Sequence, residues 1–304
     1  MKPFFVFSGQ GAQAVGMGRD LVEAFPAAKA RFDEADAVLG YDQSSIVFEG
    51  PAEKLTESRY CQPAIYTMSC AALDAFRSRF PEVKPVACAG LSLGEYGALY
   101  AGGAFDFASG LRLLAQRAEL MDRACRSTSG GMASVLSGDP DVIREVCAAC
   151  GIDVANYNSP GQIVISGEKE KLAKAVEELK NRGMRKVVVL NVAGAFHSRL
   201  MAPAGEALKP VLEASAMTLP TTPVYHNFTA AVAGSVEELK ANLASQVAGS
   251  VRWEECVRAM VAAGGDTMIE FGPGNVLTGL LRRTLPEVPY FNVNSAASLE
   301  SLAF

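Results

Sequence analysis

Apolar residues along this chain follow two rhythms that take turns. Short unbroken apolar runs, as at residues 4–8 and 86–89, predict buried strands. Longer stretches with apolar positions every three or four residues predict helices. The first strand is followed by a largely helical stretch over 16–39 and a long apolar-rich helix over 62–80, introduced by Pro63. The strand at 86–89 leads into helices over 93–101 and 108–125, the second with Leu111, Leu114, Ala115, Ala118 and Met121 at helical spacing. Such alternation predicts an α/β fold, a mostly parallel sheet with helices on both faces.

The order then changes. Residues 132–137 read as a strand, 140–150 as a helix and 154–157 as a strand. Asn158-Ser159-Pro160-Gly161 reads as a turn and 162–166 as a strand. A charged amphipathic helix over 168–181, ended by Gly183, and a strand over 185–192 complete the set. This β-α-β-β-α-β succession predicts a ferredoxin-like subdomain inserted over 127–193. Ser127-Thr128-Ser129-Gly130-Gly131 is the expected flexible way in, and Asn191-Val192-Ala193-Gly194 the way out. The large domain, 1–126 and 194–304, resumes with helices near 201–214, 236–248 and 253–263 and strands at 224–226 and 267–271. Gly272-Pro273-Gly274 then turns the chain into a helix from Val276.

The 304 residues are 49% apolar and 20% charged, which suits a globular chain with a substantial core. A net charge of −5 gives no support for a nucleic-acid partner. No stretch approaches the ~20 apolar residues of a membrane span. The seven cysteines, an odd number scattered in apolar contexts, suggest reduced thiols and a cytoplasmic location. Cys147 and Cys150 form a C-x-x-C with no second pair and no nearby histidine, so they read as small residues near a helix end rather than a metal site.

The chemistry concentrates at Gly90-Leu91-Ser92-Leu93-Gly94-Glu95. A G-x-S-x-G between a strand and a helix has the pattern of a nucleophile elbow, which suggests a large domain of α/β-hydrolase-like type. The turn lifts the serine hydroxyl above the sheet edge at the start of a helix, where free N–H groups face developing negative charge. Acyl transfer through a serine ester follows. The hydroxyl needs a base, and the chain offers only His197 and His226. His197 is favoured, because it lies where the insertion ends and two domains would meet in a cleft.

Ser8-Gly9-Gln10-Gly11-Ala12-Gln13 invites a dinucleotide fingerprint, Gly9-x-Gly11-x-x-Ala14. That motif wants an acidic residue at the end of a second strand, whereas Asp33, Glu34 and Asp36 lie in a helical pattern. An exposed turn at the same sheet edge as Ser92, with Gln10 offering its N–H, reads better. Arg117 has Leu114 and Met121 as helical neighbours, and periodicity alone favours a solvated guanidinium. If it enters the cleft instead, it suits a carboxylate.

Taken together, these motifs, with Gln116-Arg117, Asn158-Ser159-Pro160-Gly161-Gln162 and Ala195-Phe196-His197-Ser198, resemble in order those of the malonyl-CoA:acyl carrier protein transacylases. The resemblance covers essentially the whole chain. It implies Ser92 as nucleophile, His197 as base and the Gln10 and Leu93 N–H groups as oxyanion donors. It implies Gln246 as the residue whose main-chain carbonyl orients the histidine, and Arg117 as the partner of the malonyl carboxylate, against the periodicity. Asn158 and Gln162 would shape the small-domain wall of the cleft. Malonyl-CoA and acyl carrier protein are the implied partners, coenzyme A the product, and no metal or redox cofactor is implied. The family usually carries histidine where Leu91 stands, and often His-Ala-Phe-His where Gly194-Ala195-Phe196-His197 stands; Phe196 still fits selection against an α-methyl group. A serine hydrolase or thioesterase on a related scaffold and a polyketide-pathway acyltransferase are the rival readings. Arg182, Arg185 and Lys186, or Arg282 and Arg283, are candidate contacts for an acidic carrier protein.

Overall fold

A computed structural model describes residues 1–304. The chain opens with β1 (Pro3–Phe7), α1 (Arg19–Ala24), α2 (Pro26–Leu39), α3 (Gln43–Glu49), α4 (Ala52–Thr56), α5 (Ser58–Arg79), β2 (Ala87–Gly90), α6 (Gly94–Gly102) and α7 (Phe107–Ser127). Next come β3 (Gly130–Leu136), α8 (Pro140–Cys150), β4 (Asp153–Ser159), β5 (Gln162–Glu168), α9 (Lys169–Asn181) and β6 (Lys186–Val189). A 3-10 turn at Arg199–Met201 leads into α10 (Ala202–Glu213), β7 (Val224–Tyr225), α11 (Val236–Gln246) and α12 (Trp253–Ala262). The chain closes with β8 (Thr267–Phe271), α13 (Val276–Thr284), β9 (Tyr290–Val293) and α14 (Ala296–Glu300).

The fold is α/β, with one parallel sheet and a separate antiparallel sheet. The parallel sheet runs β7-β2-β1-β8-β9. β1 lies at its centre and is wholly buried. Its unbroken apolar run serves two faces because strand side chains alternate. Phe5 and Phe7 pack with Phe271 and Phe76 on one face, and Phe4 and Val6 pack with Trp253, Val257 and Leu277 on the other. The antiparallel sheet runs β4-β5-β3-β6 and has its own core around Val135, Ile143, Ile163 and Leu179.

Main-chain bonds stitch the small sheet to the rest. The Tyr157 N–H donates to the Val251 carbonyl at 2.9 Å, and the Val251 N–H donates to the Ala155 carbonyl at 2.8 Å. Ser250 Oγ donates to the Val154 carbonyl at 2.6 Å. At the start of β4, Arg199 grips Asp153 through Nη2 at 2.7 Å and through its N–H at 2.8 Å.

Three expectations about the elements need correcting. α5 begins at Ser58, so Pro63 lies inside the helix rather than at its start. Its missing N–H costs one bond, but Cys61 through Leu73 are all buried, and that packing outweighs the loss. Gly130 and Gly131 belong to β3 and are not a flexible link. A Cβ on Gly130 would lie 2.7 Å from Ala195, so the glycine serves close packing. β6 ends at Val189, which frees residues 190–193 to line the cleft described below. Asp33, Glu34 and Asp36 lie within α2, so the dinucleotide fingerprint lacks its acidic strand end. Cys147 and Cys150 are free thiols, and no cluster of side chains is arranged to hold a metal ion. No helix is long and apolar enough to cross a membrane.

Candidate active site

β1 and β2 pair in parallel with Phe7 opposite Gly90, so the loops that follow them leave the sheet side by side. The Leu91 N–H still donates to the Phe7 carbonyl, at 3.1 Å. Ser92 then sits on the turn into α6 with a left-handed backbone, φ 53°. Both flanking glycines are sterically required. A Cβ on Gly90 would lie 2.0 Å from the Gly94 carbonyl carbon, and one on Gly94 would lie 2.2 Å from the Phe7 oxygen.

His197 comes from the segment after β6, also with a left-handed backbone, φ 54°. Its Nε2 lies 2.8 Å from Ser92 Oγ and its Nδ1 lies 2.8 Å from the Gln246 carbonyl oxygen. A carbonyl only accepts, so Nδ1 carries the proton and the Nε2 lone pair faces the serine hydroxyl. Burial, reinforced by the nearby Arg117 cation, pushes the His197 pKa down to about 4, so the ring is neutral at pH 7. His226 lies elsewhere, with Nδ1 at 2.7 Å from Glu95 Oε1.

Arg117 is 1% exposed, against the solvated place its periodicity predicts. Its Nη2 donates to Ser92 Oγ at 3.0 Å and to Gln246 Oε1 at 2.9 Å, and its Nη1 donates to Gln62 Oε1 at 2.6 Å. These acceptors come from distant elements, and helical spacing within α7 carries no trace of them. Desolvation lowers the Arg117 pKa from its usual value, yet a guanidinium stays charged at neutral pH.

The peptide groups around Ser92 are held as well. The Ser92 N–H donates to Asn227 Oδ1 at 2.6 Å, and Asn227 Nδ2 donates to the Gly90 carbonyl at 2.8 Å. Gln246 Nε2 donates to the Ser92 carbonyl at 3.0 Å and to Glu95 Oε2 at 2.8 Å. The Asn227 N–H donates to the same Oε2 at 2.8 Å. The Gln10 and Leu93 N–H groups, by contrast, donate to no protein acceptor. That leaves them available to a negative oxygen near Ser92.

Ser92 and His197 open into a cleft of about 250 Å³. Gln10 and Leu91 line it from the loops after β1 and β2, Asn158 and Val164 from the small sheet, and Phe196 from the junction. Asn158 Oδ1 is buried without a partner. Gln162 does not line the cleft: its Oε1 accepts from Arg283 Nη1 at 2.6 Å, because the β4–β5 turn carries it away. Gly194 has no room for a side chain, since a Cβ there would lie 2.3 Å from Cys125 Sγ. Sequence reasoning missed Gln62, Glu95 and Asn227. The usable signal was a polar residue inside an apolar stretch, since a buried polar group needs a partner.

The profile of the acyl transferase domain family matches residues 4–302. The malonyl CoA-acyl carrier protein transacylase of Bacillus subtilis (strain 168) is 40% identical over 301 residues, covering 97% of this chain and 94% of the relative. The polyketide biosynthesis malonyl CoA-acyl carrier protein transacylase PksC of the same organism is 39% identical, covering 92% of this chain and 96% of the relative. Among solved structures, a malonyl-transacylase in complex with its type II PKS acyl-carrier protein superposes with a TM-score of 0.96 at 36% identity, covering 99% of this chain and 98% of that one. The chain therefore belongs to the acyl transferase family and, within it, to the malonyl CoA-acyl carrier protein transacylases.

Proposed function

We propose that the chain moves a malonyl group from malonyl-CoA to the pantetheine thiol of acyl carrier protein through an ester on Ser92. The observation that carries this reading is one nucleophile bonded to both a neutral imidazole and a buried guanidinium. Ser92 Oγ attacks the thioester carbon as its proton passes to His197 Nε2. The Gln246 carbonyl supports the imidazolium through Nδ1–H. The Gln10 and Leu93 N–H groups hold the tetrahedral oxyanion. Collapse expels the coenzyme A sulfur, which takes the proton from His197 and leaves as the thiol. In the second half the pantetheine thiol gives its proton to His197 and attacks the ester. The Ser92 oxygen then leaves and takes that proton back.

Arg117 holds the free malonyl carboxylate, its guanidinium oriented by Gln62 and Gln246. Asn158 and Phe196 shape the space around the acyl chain. The scheme uses no metal or redox cofactor. A hydrolase acting on neutral esters has no need for a cation 3.0 Å from its nucleophile, and that contact favours transfer of a carboxylated acyl group.

We assign the large domain to 1–126 and 194–304, of α/β-hydrolase-like type, and the ferredoxin-like insertion to 127–193. The two separate sheets and the elbow after β2 support this division. The product feeds fatty acid synthesis in this reading, and the location is cytoplasmic. Mass spectrometry after mixing with malonyl-CoA tests the function. The expected result is a malonyl adduct on Ser92 that moves to added holo carrier protein and is lost in Ser92→Ala. Rapid release of free malonate would mean a hydrolase, and no adduct would overturn the reading.

A further inference from the structure

The Glu95 carboxylate is fully buried and lies one layer behind the reacting atoms. Its Oε2 accepts from the Asn227 N–H and from Gln246 Nε2, both at 2.8 Å, while Oε1 faces His226 Nδ1 at 2.7 Å. These partners lead back to the nucleophile along separate routes. Asn227 Oδ1 accepts from the Ser92 N–H, and Gln246 Nε2 also donates to the Ser92 carbonyl. Gln246 in addition supplies the carbonyl under His197 and the Oε1 that accepts from Arg117. Burying a carboxylate costs several kcal/mol, and no lysine or arginine pairs with it directly. An apolar residue would fill the same space without that cost.

We propose that Glu95 is a positioning residue for acyl transfer: it fixes both peptide groups of Ser92 and the carbonyl that carries His197, and its charge balances Arg117. The proposal rests on the malonyl-transfer reading above. The left-handed Ser92 backbone is unfavourable for a serine, so the surroundings must hold it in place, and Glu95 anchors two of the groups that do so. Titratable groups that face this carboxylate or its charge are His226, Cys256, Arg117, Tyr96 and His197. Glu95 acts on His197 in the direction that favours the protonated ring, opposing Arg117.

Glu95→Gln keeps the shape and removes the charge, whereas Glu95→Asp keeps the charge and withdraws it by one methylene. Single-turnover acylation by malonyl-CoA is measured across pH for both, normalised to folded protein. In Glu95→Gln the expected result is a rate roughly tenfold lower at neutral pH, an acid limb shifted to lower pH and an unchanged KM. In Glu95→Asp the rate should fall by roughly 10²-fold, with the acid limb unmoved. A merely structural carboxylate would lower the melting temperature or the yield but leave the rate per folded molecule and the acid limb alone, and that result overturns the proposal. Should Glu95→Gln not fold, a wild-type rate in Glu95→Asp alone overturns it. Unmodified enzyme that forms no malonyl ester on Ser92 overturns the transfer reading as well, and is recognised before either variant is made.

Discussion

Arg117 acts on two neighbours at once. Its Nη2 donates to Ser92 Oγ, and its charge, second to burial, depresses the basicity of His197. In the proposed scheme a malonyl carboxylate seated on the guanidinium would cancel that charge, so binding of malonyl would also make His197 more basic. In Arg117→Ala, acylation by malonyl-CoA should fall on the order of 10²-fold, because a desolvated charge pair is lost. Acetyl transfer should hold level or rise. Protonated His197 cannot take the serine proton, so activity is lost as pH falls through its pKa. Removing a nearby cation favours protonation, so the acid limb of the acetyl reaction should move up from about 4 toward the ordinary histidine range. Steady-state pH profiles with both substrates check this; an equal fall for both, with a fixed acid limb, would make the arginine structural. The pairing of Ser92 with His197 rather than His226 was legible because so few residues were eligible. Gln62, Glu95 and Asn227 were not, since each acquires its meaning only from a partner brought from another element.

At the scale of elements, the strands and long helices were legible wherever an apolar rhythm ran for several residues. β8 and α8 fall where the pattern places them. The short α3, α4, β9 and α14 were not, because a few residues carry too little periodicity and their stability comes from neighbours. The elbow was legible because two glycines flank the serine within five residues, although only Gly90 is constrained locally, by Gly94, while Gly94 is constrained by the Phe7 carbonyl of β1. Gly94→Ala should therefore lower the free energy of unfolding by roughly 2–4 kcal/mol and abolish acylation. Gly279→Ala, in α13 with nothing within 4 Å of the added methyl, should be neutral or stabilising by up to about 1 kcal/mol. Urea titration of the two variants checks the contrast, and similar midpoints would show that the elbow has room to relax.

Across the whole molecule, the basic residues offered as contacts for a carrier protein differ in availability. Arg182 is tied to Glu145 at 3.0 Å and to Glu178 at 2.8 Å, and Arg283 leans on Gln162. Arg282 lies over the Tyr290 ring, 4.6 Å from its centroid. Arg185 and Lys186 are exposed and form no ion pair, so in the proposed scheme they would meet an acidic partner without breaking an internal bond.

The stitching of β4 to Val251 has a mechanical consequence. Two lobes joined only by crossing strands would open as a hinge and admit water to the ester between half-reactions. Here the wall carrying Asn158 is pinned by two main-chain bonds and the Ser250 hydroxyl on the strand that bears it. Substrates are then expected to enter past residues 190–193, which line the cleft, without a jaw-like opening of the two sheets. Amide hydrogen exchange registers the difference: the N–H groups of Tyr157 and Val251 should be as slow as those of β1. Exchange at the pace of a surface loop would mean that the jaw opens after all.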